Sequence, residues 1–456
     1  MRKTILSFLI IFGLLSCEST LDEFAKNPNS PETVTPALLL SATQVGSFAT
    51  YCGQLGRLSN ILSQHTAGTV EGSQYVRFSN YDILEQDFNN EWNGIYTDIL
   101  VNANTIIQSF GTENPYYSGI AKLLIAFNLG VATDFWSDVP YSDALTGLEG
   151  NKSPSFDTQE EIINTIYSLC DAAVIDLGKP VTDNVFLPSD DDIIFGGDVD
   201  KWIKAAYMIK ARYANRLSKR NTDSATDVLS FLNSADLKGN ADDMNAIFPD
   251  AGGNSRNQWA DFQNQRGNYM KMGKFFIDLL KNSNDPRLPF FAKQDSDKGY
   301  SGNAVGDVNT TTTSDVGPAI ASNTAPIGMI TYVEMKFVEA EARLRSGDTP
   351  GAGTAFKAAV SASLEKVVGS VDQDFVDAVT GTVSLEKIIE QKYIALFSSI
   401  EPYNDYRRLG LPALTPNPNA QRVEIPLRLP TSSDERIYNP NSTVVSDIYT
   451  AVWWDN

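Results

Sequence analysis

The sequence predicts a mainly α-helical protein, a scaffold of tetratricopeptide-like helix pairs with a loop-rich portion. Three observations lead there. Apolar residues recur at three- and four-residue spacing over most of the chain, the period of an amphipathic helix. Thr331 to Arg345 and Ala352 to Lys366 read as two helices joined by the turn Ser346-Gly347-Asp348, and Ala355, Ala359 and Ala362 permit close approach between them. Residues 221–330 instead concentrate Gly, Asn, Ser, Asp and Thr, notably at 250–268 and 294–325, around a single clear helix at about 271–282. No clean 34-residue self-similarity is present, so periodicity supports helix pairs without naming the superhelix.

In chain order, the first element is an address. Arg2 and Lys3 precede an apolar stretch from Ile5 to Leu15, and Leu14-Leu15-Ser16-Cys17 has the form of a bacterial lipobox. Residues 1–16 are therefore read as a lipoprotein signal peptide and Cys17 as the lipidated residue; a plain signal peptide or a buried N-terminal helix is the alternative. Residues 17–34, with Glu18, Asp22, Glu23 and the cluster Asn27-Pro28-Asn29-Ser30-Pro31, read as a solvated tether. Residues 35–456 are expected to form one domain, divided into a loop-rich insertion (221–330), tetratricopeptide-like helices (331–410) and an extended C-terminal wrap (411–456).

Thr35-Pro36 opens the first helix in N-cap and N1 order, and its pattern runs on through Leu55, Leu58 and Leu62. Ala67 to Glu85 is polar and aromatic and reads as a loop. Asp87 to Phe110 and Tyr117 to Phe135 follow as helices, the second apolar enough to be internal. Thr158 and Glu161 make a capping box for the next helix, and Lys201 to Lys219 carries a further one. After Leu411, prolines at 412, 416, 418, 426, 430 and 440 exclude helix.

Composition narrows the function. The chain has 456 residues, 36 Lys+Arg against 56 Asp+Glu, and one histidine; its formal charge of −20 becomes two units more negative once residues 1–16 are removed. That charge argues against nucleic acid, which demands a basic face. A single histidine leaves no room for His-rich metal sites and obliges any Ser-His-Asp apparatus to use His65, which reads as a helix-terminal hydrogen-bonding group. Beyond residue 16 no apolar run reaches the ~18 residues of a membrane span. Cys52 and Cys170 lack metal-ligand spacing and read as buried free thiols, with a disulfide as the alternative.

Several segments, in one order from the lipobox to the C-terminus, resemble the SusD/RagB-like nutrient-binding lipoproteins of Bacteroidetes, in particular the second SusD-like subfamily. They are Asn27-Pro28-Asn29 leading into Thr35-Pro36-Ala37-Leu38-Leu39; Thr133 to Ala144 (TDFWSDVPYSDA); Lys201-Trp202 leading into Lys210-Ala211-Arg212; Asn284-Asp285-Pro286-Arg287-Leu288; Glu334 to Ala342; Gln391 to Phe397; Asn404 to Gly410; Ile425 to Pro430; and Trp453-Trp454. The resemblance implies a SusD-like α-α superhelix whose loop-rich portion carries the ligand surface. It further implies a lipid-anchored outer-membrane protein, facing the exterior, that binds an oligosaccharide or other nutrient and passes it to a SusC-like TonB-dependent β-barrel. It implies no enzyme activity and no cofactor. A surface glycoside hydrolase and a purely structural scaffold are the competing classes, and no carboxylate pair stands out in an aromatic setting to favour the first.

Within the matching motifs, Asp134, Asp138 and Tyr141 read as a rigid helix end. Arg407 and Arg408 beside Asp405 and Glu401 read as ion pairs fixing the C-terminal wrap, and Glu334, Glu339 and Glu341 as salt bridges to neighbouring helices. No catalytic residue and no metal site is assigned; Asp295-x-Asp297-x-Gly299 is only a partial calcium loop. Sugar recognition needs flat apolar faces with amides, carboxylates or Arg at the rim. Two loops meet that description. The first holds Gln74, Tyr75, Arg77, Asn80 and Tyr81, and the second Gln258, Trp259, Gln263, Arg266, Asn268 and Tyr269. The ligand-binding candidates are Gln74, Tyr75, Tyr81, Trp259, Arg266, Asn268 and Tyr269.

Overall fold

A computed structural model describes residues 34–252 and 255–456. The signal peptide, Cys17 and nearly all of the tether lie outside the described residues. Helix α1 (Pro36–Cys52) begins as expected, with Thr35 Oγ1 accepting from Leu38 N. The chain then breaks at Gly53, and α2 (Gln54–Leu62) starts a new axis. The segment read as a loop is instead strand β1 (Thr66–Gly68) followed by α3 (Gln74–Ser79), capped by Ser73. The strand passes so close to α3 that a Cβ on Gly68 would overlap the Tyr75 carbonyl. Next come α4 (Asn89–Gly94), a π-helical turn (Ile95–Leu100), α5 (Val101–Phe110) and α6 (Pro115–Trp136).

Helix α6 is the core of the molecule. By length and composition it would cross a bilayer, but its most apolar window is 94% buried inside the protein. The absence of an unbroken apolar run misses this because Ser118, Lys122 and Asn128 punctuate a helix that is apolar on all sides. It packs on α7 (Gln159–Leu177), whose capping box of Thr158 and Glu161 is formed as expected, and α7 on α8 (Val199–Arg216).

The insertion holds more regular structure than the single helix expected. It comprises α9 (Ser224–Ala235), β2 (Met244–Ala246), α10 (Gln258–Gln265), β3 (Met270–Met272), α11 (Lys274–Asn282), α12 (Leu288–Phe291), α13 (Pro318–Ala321) and β4 (Ile327–Ile330). Short polar helices such as α10 have too few apolar positions to show a period, and the three-residue strands exist only through pairing. β1 pairs antiparallel with β3 (Gly68 opposite Met270), and β2 with β4.

The tetratricopeptide-like part is α14 (Tyr332–Arg345), α15 (Thr349–Val368), α16 (Gln373–Thr380), α17 (Leu385–Ala395) and α18 (Glu401–Leu409). Phe337, Ala355, Phe356, Ala359 and Leu364 form a core there separate from the large one around α6. The C-terminal wrap is mostly extended, but prolines do not exclude helix entirely: α19 (Ser433–Tyr438) fits between Pro430 and Pro440.

A buried charge network joins these layers. Arg216 on α8 bonds Asp134 at 3.1 Å and Glu401 at 2.8 Å, Arg212 holds Glu334 at 2.6 Å, and Arg408 on α18 pairs with Glu341 and, at 2.8 Å, Asp405. Lys392 closes the group on Asp405 at 2.8 Å. Burial alone would raise the Asp405 carboxyl, but Lys392 and Arg408 outweigh it and bring the pKa down to about 2. Arg407 donates to the backbone oxygens of Asp134 (2.6 Å) and Leu427 (2.8 Å), tying the wrap to α6. Asp138 accepts from Gln159 N at 3.0 Å, so the TDFWSD motif is structural. Glu339 differs from expectation in pairing along its own helix, with Lys336 and Arg343.

Candidate functional site

The two ligand candidate segments lie side by side, because β1 leads into one and β3 leads out of the other. Thr69 N donates to the Tyr269 carbonyl at 3.1 Å, and the Thr69 hydroxyl to that of Asn268. The second segment is a helix: Asn257 caps α10 by accepting from Trp259 N (2.7 Å) and Ala260 N (3.1 Å), while its amide donates to the Ala325 carbonyl at 2.7 Å.

Helical geometry then sorts the aromatics in a way that corrects the expectation for three of them. Trp259 is 0% exposed and stands edge-on to Phe397, 5.9 Å between ring centroids. Tyr75 and Tyr81 are also buried. The Tyr81 hydroxyl accepts from Asn417 N at 2.9 Å and is pushed up to about 12 by burial, so this residue fastens the C-terminal wrap. Buried rings have no face to offer a sugar. Gln74 is half-buried against Asp87 (3.4 Å), whereas Arg266 and Asn268 are exposed and Tyr269 is half-buried under the Arg266 guanidinium (5.6 Å).

Nearly one turn beyond Trp259, Phe262 points in a neighbouring direction that leaves it half-buried rather than in the core. Its ring lies 4.6 Å from that of Tyr75 and 4.6 Å beneath the guanidinium of Arg57 on α2. Arg57 Nε donates to the Tyr75 hydroxyl at 2.6 Å, which sets the plane of the guanidinium. Across from Phe262, Phe48 of α1 meets Phe248, which follows β2, at 6.2 Å. Between them opens a cleft of about 870 Å³, lined by these residues with Ile193, Ile247 and Pro249, and edged by Gln258, Arg256, Asp261 and Gln265. Apolar walls with planar polar groups at the rim are the chemistry of a small-molecule site.

Most of these residues escape sequence reading. Phe48 and Arg57 sit on helices that read as core, and Phe248 lies in a loop. Phe262 was the accessible signal, in the segment already singled out and three residues from the tryptophan. His65 is where expected in role: it is buried, shares a 2.9 Å hydrogen bond with Ser63 and a 3.0 Å one with the Tyr393 carbonyl, and stacks on the Tyr393 ring at 3.9 Å. Asp295 spends its carboxylate on Asp297 N, Gly299 N and Ser301, and among the described residues no group of three acidic, Cys or His side chains could hold a metal ion. Cys52 and Cys170 are free and buried.

A family model for SusD-like proteins, described as starch-binding and associating with the outer membrane, matches residues 28–430. The chain belongs to the SusD-like family. Solved structures agree across its length. A SusD/RagB family protein from Bacteroides thetaiotaomicron is 25% identical, with 93% of this chain and 99% of that one aligned at a TM-score of 0.80. A chitin-binding protein is 24% identical over 92% and 100% of the two chains, also at 0.80. A chitin-binding SusD homolog from Flavobacterium johnsoniae is 19% identical over 91% and 98%, at 0.79, and shares the fold. No curated protein matches the sequence. The SusD-like helical scaffold expected from the TDFWSD, E-x-x-F-x-x-A-E-A and NDYRRLG segments is thereby established.

Proposed function

We propose that this SusD-like protein is a non-enzymatic, lipid-anchored outer-membrane protein that binds an oligosaccharide and hands it to a TonB-dependent β-barrel transporter. The observation that carries the reading is the cleft of about 870 Å³, in which Phe262, Ile193, Ile247 and Pro249 supply apolar surface over the buried rings of Phe48 and Phe248, and Gln258, Gln265, Asp261 and Arg57 supply hydrogen bonds. That is the division of labour a sugar requires, with C–H faces on rings and hydroxyls on planar polar groups. Chitin-binding relatives on the same fold favour a glycan over other nutrients. The exposed residues Arg266 and Asn268 and the half-buried Tyr269 extend the surface along the β1 and β3 edge, while Gln74, Tyr75, Tyr81 and Trp259 support it from within.

The lining carboxylate of the cleft is Asp261, which accepts from Gln265 at 2.7 Å. A hydrolase would need a second acid facing it across the bound sugar. The anchor rests on Cys17 at the end of the apolar run, and the partner on the family resemblance. Calorimetry with starch-derived and chitin-derived oligosaccharides should give saturable micromolar to millimolar binding, with the ligand recovered uncut, and Phe262→Ala should weaken it. Binding unaffected by Phe262→Ala and Phe48→Ala would reject the cleft. Cleavage that disappears on changing one acidic residue would reject the non-enzyme reading. Gentle extraction from native membranes should recover a large barrel with the protein, and Cys17→Ala should release it from membranes.

A further inference from the structure

We infer that the cleft selects acidic oligosaccharides, with Arg57 as the clamp for a uronate carboxylate; this rests on the glycan reading above. Arg57 stands out by the partner it lacks. Among the described residues it makes no ion pair, in a protein whose formal charge is −20. Its Nε is used by the Tyr75 hydroxyl at 2.6 Å, one face lies over Phe262 at 4.6 Å, and its remaining contact is a long 3.5 Å bond from one terminal nitrogen to the Gln258 carbonyl. The side chain is thus held in one plane, Arg57 lines the cleft, and of the two terminal nitrogens that form the outer edge of its guanidinium only one is engaged, by that long bond.

That edge matches the two oxygens of a carboxylate in fork geometry, and a guanidinium already fixed by neighbours loses less freedom on binding than a mobile lysine. The other charged groups at the cleft do not cancel it. Arg256 is paired with Asp250 at 2.7 Å, and Asp261, which accepts from the neutral Gln265 amide, keeps its charge but acts on Arg256 and makes no bond to Arg57. Glu91 feels Arg57, which draws its carboxyl down against the larger upward push of burial, yet makes no bond to it. Arg57 is therefore the cation of the cleft with no carboxylate bonded to it, and it stands beside the aromatic ring of Phe262. A ligand with an apolar face and an anionic group an ångström-scale step away would satisfy both, and a uronic acid residue has that shape.

The test compares charged and neutral versions of one chain. Oligogalacturonates, alginate-derived and hyaluronan-derived oligosaccharides are titrated by calorimetry into the full protein, each beside its carboxyl-reduced counterpart, in which the carboxylate has become a hydroxymethyl group. At least one acidic oligomer should bind roughly 10- to 100-fold tighter than its reduced form, the range of one charge-assisted bidentate contact, and the advantage should shrink as salt rises. Arg57→Gln should abolish the difference, and Arg57→Lys should keep the salt dependence while losing most of the affinity. If Arg57→Gln fails to fold, the acid-to-reduced comparison in the unaltered protein decides. Neutral and acidic chains binding equally well would overturn the acid preference and leave the glycan reading standing. No binding by acidic, reduced, starch-derived or chitin-derived chains would overturn both.

Discussion

His65 is the only histidine in the chain, which makes its protonation measurable in isolation. Complete burial disfavours the charged ring, and although its bond to the Tyr393 carbonyl works against this, the pKa falls from 6.5 to about 3. In the unfolded chain the ring takes a proton near 6.5; in the folded protein it stays neutral until about 3. The unfolded state therefore binds more protons between those limits, and stability is lost as pH falls through that window. At pH 5 the loss is about 2 kcal/mol, growing to about 4 kcal/mol near pH 3. Denaturant melts at pH 7.5 and 5 should show this, and His65→Gln should remove it. The substitution carries its own cost from lost stacking on Tyr393, but that cost is independent of pH. Buried carboxyls that burial raises, Asp134 and Glu334, act with the opposite sign and are common to both proteins, so the difference of slopes reports His65. The imidazole resonance of the folded protein should not move between pH 7.5 and 5. Equal slopes in the two proteins, or a resonance titrating near 6, would refute the account.

Other consequences are as direct. Glu401→Ala leaves Arg216 and Arg212 buried with one anion fewer and should cost about 3–5 kcal/mol in denaturant unfolding, whereas a loss below about 1 kcal/mol would mean water or a shifted side chain replaces the carboxylate. Trp259→Ala and Phe262→Ala should separate cleanly: the first empties a fully buried site and lowers stability by about 3–5 kcal/mol, and the second, half-buried, should lower oligosaccharide affinity with a smaller effect on melting. Cys52 and Cys170 are held protonated by burial, so neither should react with a thiol reagent until the protein is unfolded; rapid native labelling of either would contradict its placement.

Helix ends and charge partners were legible in the sequence to different degrees, for reasons that lie in their range of interaction. Thr35-Pro36 and the Thr158 to Glu161 capping box are local devices, closed within one turn, and they appear where the residues place them. The Arg408 pairs were foreseeable because a buried cation demands an anion, but that Arg408 reaches Glu341 on α14, 67 residues away, depends on how helices stack, and Arg407, expected in an ion pair too, is met by the Asp134 and Leu427 carbonyls instead. Strands β1 and β3 carry no alternating pattern in three residues, and exist only because Thr66 to Gly68 finds Met270 to Met272 across the fold.

The cleft shows the same division most clearly. Composition placed aromatic and amide side chains in two segments, and that much is a property of the chain alone. Which ring faces inward was decided by the phase of α10, itself set by the Asn257 cap and by Phe397 contributed from another part of the chain. A 3.6-residue turn puts Trp259 and Phe262 on neighbouring but distinct directions, so one became core and the other wall. Arg57 gained its meaning only when Tyr75 and Phe262 closed around it, because a cation's function depends on the partners it lacks as much as on those it has, and partners separated by up to about 200 residues meet only in the folded molecule.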